Sequence, residues 1–166
     1  MPVDKIYLVG FMGAGKSSVA TALGTQLGWQ VADIDKLVEE RERMTVAQIF
    51  SRRGEPYFRT VEQAVLSELV SIRHAVVATG GGTYVTHTNR LAIDRDGVSI
   101  WLDVSLRRAT ERLPSDGLRP LAGDRSEMER LFCSRQTAYR HAQVRLDAER
   151  ASVDELTNQI LEWLDM

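Results

Sequence analysis

The chain reads as an α/β domain of three layers, a parallel sheet held between two layers of helix. Two observations predict it. Four short runs rich in β-branched or aromatic residues, and a weaker fifth, alternate with stretches whose apolar residues step by three or four, and that alternation calls for parallel strands joined by crossover helices. Between the first strand-like run, Lys5–Val9, and the helix-like run from Ser18 stands the glycine-rich turn Gly10-Phe11-Met12-Gly13-Ala14-Gly15-Lys16-Ser17. With 166 residues there is room for one core of ordinary size and no second full domain, so residues 1–166 are read as one unit.

The turn has the spacing G-x-x-x-x-G-K-[ST] of a phosphate-binding loop, which makes the expected architecture the α/β/α P-loop NTPase fold. Gly10, Gly13 and Gly15 reach backbone conformations closed to other residues, so that successive N–H groups can converge on one phosphate. Lys16 adds a full positive charge at the β/γ-phosphates, the helix N-terminus adds a partial one, and the Ser17 hydroxyl is placed to ligate Mg²⁺. A nucleoside triphosphate is the expected ligand.

Composition narrows the partners. Hydrophobic residues make up 43% and charged residues 27%, the balance of a globular protein and not of a disordered or fibrous one. The longest apolar runs have strand length and the N-terminus lacks a basic stretch followed by an apolar core, so a membrane span is not expected and a cytoplasmic location is. A formal charge of −2 supplies no long-range field toward nucleic acid or an acidic membrane. The single cysteine, Cys133, fits a reducing compartment and helix packing, and the scattered His74, His87 and His141 make no metal cluster.

Beyond the first helix, Trp29–Ala32 reads as a second strand closing at Asp33. Asp33-Ile34-Asp35 puts two carboxylates on one side of an extended segment at the strand's C-terminal end, where ligands bind in open α/β sheets. Asp35 as the cap of a helix Lys36–Glu42 explains one carboxylate without chemistry; the pair beside a phosphate loop favours one near Mg²⁺ and one near a hydroxyl. Thr45-x-x-Gln48 is a capping box for a short helix that stops before Gly54. From Glu55 a longer helix carries Phe58, Val61, Val65, Leu69 and Ile72 as a buried stripe. Arg59 beside that stripe has a plain explanation in a surface pair with Glu55 or Glu62. The third strand, Ala75–Ala78, runs into Thr79-Gly80-Gly81-Gly82, three glycines that fit close approach of a ligand to the backbone.

Asn89–Asp94 reads as a short helix and Val98–Leu102 as a fourth strand. Asp94-Arg95-Asp96-Gly97 has the D-x-x-G form of GTP switches but precedes a strand, so it is read as a turn, and Asp103 or Ser105 caps the next helix. Leu113–Asp124 is the one long stretch without a regular pattern; Arg112 at its start and Arg119 inside it suit a lid, residues 112–124, that closes over a triphosphate. Ser126-x-x-Glu129 is read as a capping box for a helix to about Ala142, with Met128, Leu131, Phe132, Tyr139 and Ala142 inward. Arg135 falls on the side of Met128 and Tyr139, and Arg140 flanks it; both are candidates for a specific partner, against simple packing of their stems over apolar surface. Arg145–Asp147 is a weak fifth strand. Ser152-x-x-Glu155 caps a last helix with Val153, Leu156, Ile160 and Leu164 inward.

Taken together, Gly10–Ser17, Asp33-x-Asp35, Gly54-Glu55-x-x-Phe58-Arg59, Gly80-Gly81-Gly82, Arg119-Pro120-Leu121 and Tyr139-Arg140 resemble the shikimate kinase family, over about residues 5 to 147. The resemblance implies five parallel strands in the order 2-3-1-4-5 and ATP-dependent phosphorylation of the 3-hydroxyl of shikimate, a step of aromatic amino acid biosynthesis. It places Gly13, Ala14, Gly15, Lys16, Ser17 and Ser18 on the nucleotide phosphates, Ser17 on Mg²⁺, and Asp33 on the same ion through water. Asp35 matches the residue that holds the shikimate hydroxyls and accepts the proton. Arg59 and Arg140 match the carboxylate contacts, and Gly80, Gly81 and Gly82 the remaining ones, within a substrate-binding region that includes residues 34–60. Arg119 matches the lid arginine and joins Lys16 and Asp35 as catalytic; Arg112 matches the residue near adenine, with Arg150 a weaker neighbour. A monomer that binds shikimate and ATP, with no nucleic acid or membrane partner, is the expected state.

Two rival readings remain open on the sequence. A related small-molecule kinase, for instance one acting on gluconate, would share the phosphate loop but not the pairing of Arg59 and Arg140 with Asp35. A nucleotide-dependent switch would need a guanine signature N-K-x-D, which is missing, and a D-x-x-G at the end of a strand.

Overall fold

The computed structural model describes residues 2–113 and 125–166. Five strands, β1 (Lys5–Val9), β2 (Gln30–Asp33), β3 (Ala75–Ala78), β4 (Val98–Asp103) and β5 (Val144–Asp147), form one sheet in the order β2-β3-β1-β4-β5. Every neighbouring pair is parallel, with Ile6 opposite Val76 on one side of β1 and opposite Val98 on the other. All of β1 and β3 is buried, as strands covered on both faces require, whereas β2 and β5 are half-exposed edges.

Eight helices flank the sheet: α1 (Lys16–Leu27), α2 (Ile34–Glu42), α3 (Val46–Arg53), α4 (Glu55–Leu69), α5 (His87–Asp96), α6 (Leu106–Glu111), α7 (Arg125–Tyr139) and α8 (Val153–Leu164), counted among the described residues. A 3₁₀ turn, Thr83–Val85, follows β3. The capping boxes at Thr45/Gln48 and Ser152/Glu155 both form, each side chain taking the other residue's backbone N–H. Ser105, and not Asp103, caps α6; Asp103 instead pairs with Arg145.

Several sequence expectations are corrected at the helix ends. Asp33 caps α2, its Oδ1 accepting the Lys36 N–H at 3.2 Å, so Asp35 lies inside the first turn and is not the cap. Asp94-Arg95-Asp96 is the last turn of α5 and not a free turn, because Tyr84 and Ser99 hydroxyls donate to Asp94 and anchor it there. Ser126 already lies within α7, which stops at Tyr139, short of Ala142. Val153 is 37% exposed: as the first residue of α8 it precedes the turn that packs, while Leu156 and Ile160 are buried as expected.

Parallel strands bring their C-terminal ends to one edge. Because β2, β3 and β1 are neighbours, the segments that leave them, Asp33-Ile34-Asp35, Gly80-Gly81-Gly82 and the phosphate loop, meet there although they are far apart in sequence.

Candidate active site

The phosphate loop takes its shape from three glycines with positive φ: 146° at Gly10, 80° at Gly13 and 97° at Gly15. A side chain at Gly13 would also meet the Ala109 carbonyl at 2.5 Å, so the loop is seated directly on the backbone of α6. Ala14 N–H closes a turn onto the Phe11 carbonyl at 3.1 Å, and Gly15 then hands over to α1. Lys16 folds back over this loop, its Nζ donating to the Gly10 and Phe11 carbonyls, and faces the neighbouring cavity. Ser17 Oγ donates to Asp33 Oδ2 at 2.6 Å. Ser18 is exposed in the first turn of α1.

The cavity encloses about 470 Å³ between the phosphate loop, the start of α2, α3, α4, the three glycines and α7. Asp35, Arg59 and Arg135 all line it together with Lys16, while Phe50, Phe58 and Val46 supply an apolar wall. Arg59 does make the pairs with Glu62 (3.0 Å) and Glu55 (3.4 Å) that periodicity suggested, and these hold it at the cavity instead of removing it to the surface. Glu62 is fully buried and also accepts from Thr83 Oγ1 at 2.9 Å, which in turn accepts the Gly80 N–H at 2.9 Å. Arg59, the 3₁₀ turn and the glycine segment are thereby fixed as one hydrogen-bonded unit.

Each of the three glycines makes room for a different charged side chain. A Cβ at Gly80 would stand 2.7 Å from Asp35 Oδ1, one at Gly81 2.8 Å from Arg135 Nη1, and one at Gly82 2.5 Å from Arg59 Nη2. None of the three has positive φ, so close approach and not backbone conformation is what requires them. Tyr139 OH donates to the Gly81 carbonyl and holds the middle glycine in place.

Arg135 and Arg140 are separated by the geometry. Arg140 is exposed just beyond the end of α7 and does not line the cavity. Arg135, one turn earlier, is only 5% exposed, stands 5.9 Å over the Phe11 ring, and has an Nη1 that is buried with no hydrogen-bond partner. Burial pushes its guanidinium below the ordinary arginine range, the state of a desolvated cation that an anion would complete. The signal was a cation on the same helical face as Met128 and Tyr139, where surface charge does not belong.

Arg112 closes α6 and donates from Nη1 to the Ala14 (3.2 Å) and Gly13 (3.4 Å) carbonyls. Arg119 and the lid stretch 114–124 lie outside the described residues.

A polyphosphate cradle opening onto a pocket with two guanidinium groups and an aspartate is the arrangement of a P-loop phosphotransferase for a small acid. The shikimate kinase family profile matches residues 12–165. A shikimate kinase from a Sulfurihydrogenibium species is 40% identical over 160 residues, 96% of either chain. The structure of Acinetobacter baumannii shikimate kinase in complex with shikimate superposes with a TM-score of 0.93 at 32% identity, covering 98% of this chain and 93% of that one. The chain belongs to the shikimate kinase family. Deoxyadenosine kinase from M. mycoides, at 17% identity and a TM-score of 0.67, shares the fold alone.

Proposed function

We propose that this protein transfers the γ-phosphoryl group of ATP to the 3-hydroxyl of shikimate, giving shikimate 3-phosphate and ADP. The observation that carries the reading is the convergence of Asp35, Arg59 and Arg135 on one cavity that Lys16 also faces. A shikimate carboxylate would sit between Arg59 and Arg135, where two guanidinium groups from different helices fix both its position and the orientation of the ring. In this proposal Arg135 takes the role that the sequence resemblance gave to Arg140. Asp35 would accept the hydroxyl proton as the oxygen forms its bond to the γ-phosphorus and the bond to ADP breaks.

Lys16 and the amides of Gly13, Ala14, Gly15, Ser17 and Ser18 would hold the phosphates, with Arg119 as the lid arginine. Ser17 Oγ and Asp33 Oδ2, already together, are hard oxygen donors suited to Mg²⁺, which commonly keeps several waters and few protein ligands. When bound, Mg²⁺ neutralises charge on the β- and γ-phosphates. No helix among the described residues is long and apolar enough to cross a membrane.

A coupled assay of ADP release with Mg²⁺ and ATP, run against shikimate and gluconate, tests the assignment. Shikimate-dependent turnover with a product phosphorylated at the 3-hydroxyl is expected. Turnover on gluconate and not on shikimate would replace it with the rival kinase reading.

A further inference from the structure

We infer that Arg112 is a positioning residue for the phosphate loop, a strap that sets the direction of its amides independently of the nucleobase. The resemblance puts this residue beside adenine, yet in the structure its guanidinium is engaged with the loop itself, donating to the carbonyls of Gly13 and Ala14 at 3.4 and 3.2 Å. A trans peptide carries its C=O and N–H on opposite sides, and no peptide bond among the described residues is cis. Holding the Ala14 carbonyl outward on Arg112 therefore turns the Gly15 N–H the other way, toward the cradle. That N–H has no acceptor among the described residues, whereas the preceding amide of Ala14 is used internally on Phe11.

The strap is needed because of the glycines. Gly13 and Gly15, at φ 80° and 97°, carry no side chain that could lock the 13–15 segment, and both peptides have several conformations of similar energy. Two contacts with α6 remove that freedom: the seat of Gly13 on the Ala109 carbonyl, and the Arg112 guanidinium one turn later, 3.7 Å from where a Gly15 Cβ would stand. Arg112 is itself fixed by its backbone N–H, which donates to the Ala109 and Thr110 carbonyls at the end of α6. Seat and strap thus come from the same helical turn. A cation on the carbonyl side also polarises each peptide so that its N–H is a stronger donor to phosphate.

The inference rests on the phosphate-loop reading and not on the identity of the acid, so inorganic tripolyphosphate, which has neither base nor ribose, is the probe. For R112A we expect the inhibition constant of tripolyphosphate against ATP to rise about tenfold, equivalent to about 1.4 kcal/mol. The preference for ATP over inosine triphosphate should stay unchanged, as should the KM for shikimate. Amide hydrogen exchange at Gly13–Lys16 should speed up in the ligand-free R112A protein with no change in its melting temperature, and R112K, which keeps a donor, should recover part of both effects. An unchanged tripolyphosphate constant with altered base preference would overturn the inference in favour of an adenine contact. Weaker tripolyphosphate binding with unchanged loop exchange would overturn it in favour of direct contact between Arg112 and the phosphates.

Discussion

Asp35 and Arg135 both line the cavity, and the roles proposed for them make separable predictions. Asp35 sits against the Gly80 backbone within the cavity, close to where a hydroxyl of the acid would lie. Asp35→Asn keeps the shape and removes the base, so kcat should fall by about 10²–10⁴ while the KM for shikimate changes little; steady-state kinetics with saturating ATP decides it. An unchanged kcat would take the proton from some other group. Arg135 is buried with an unfilled donor, and truncating one member of a buried charge pair costs about 2–5 kcal/mol. Arg135→Ala should therefore raise the KM for shikimate by roughly 10²-fold or more and leave the KM for ATP within a small factor. Arg140→Ala, at an exposed position, should do neither, and the opposite ranking of the two arginines would return the carboxylate to Arg140.

At the scale of elements, the glycine segment after β3 works as a spacer that lets three charged side chains from α2, α4 and α7 reach one wall of the cavity. Because the φ of Gly81 is one that alanine tolerates, Gly81→Ala should fold normally. Its new methyl would push Arg135 Nη1 from 2.8 Å, raising the KM for shikimate about tenfold with little shift in melting temperature. A KM like that of the parent protein would show that the guanidinium has room to spare. The sequence announced these three glycines, the phosphate loop and the Asp33/Asp35 pair, because each has a local signature of spacing or turn chemistry. It announced the capping boxes at Thr45 and Ser152 for the same reason. Which arginine turns inward was harder to read: Arg135 and Arg140 are five residues apart, and α7 ends at Tyr139, which leaves Arg140 outside. Asp33 went unread as a cap for a related reason, since strand β2 passes into α2 without an intervening loop. The Glu62–Thr83–Gly80 chain had no sequence signature at all, because its members come from separate elements.

Across the whole molecule, the edge of the sheet opposite the active site is pinned by a buried polar cluster. Lys5, at the start of β1, is fully buried; it pairs with Asp96 at 2.7 Å and donates to the Leu69 carbonyl at the end of α4. Tyr7 OH and Arg73 donate to the same Asp96 carboxylate, which closes α5. One carboxylate thus gathers β1, α4 and α5 at the edge of the sheet away from the cavity. Burial alone would raise the Asp96 pKa, but the hydrogen bonds from Lys5, Tyr7 and Arg73 outweigh it and hold the carboxyl below its ordinary value. A folded-state pKa below the unfolded one means that the unfolded chain binds the extra proton first. The stabilisation is therefore complete above the unfolded value of about 3.9 and is lost as pH falls through the lower folded one. Asp96→Asn leaves Lys5 buried without its counter-charge, which should cost about 3–5 kcal/mol, a large share of the stability of a domain this size. Chemical denaturation at neutral pH should show that loss, while kcat measured well below the unfolding transition stays at the parent value because the cluster lies far from the cavity. Denaturation repeated across the acid range should also show the parent protein losing stability below pH ~4 more steeply than Asp96→Asn, which has no carboxylate left to protonate there. Equal acid slopes for the two proteins would mean that Asp96 titrates alike in the folded and unfolded chains, and that this edge is held by the apolar core alone.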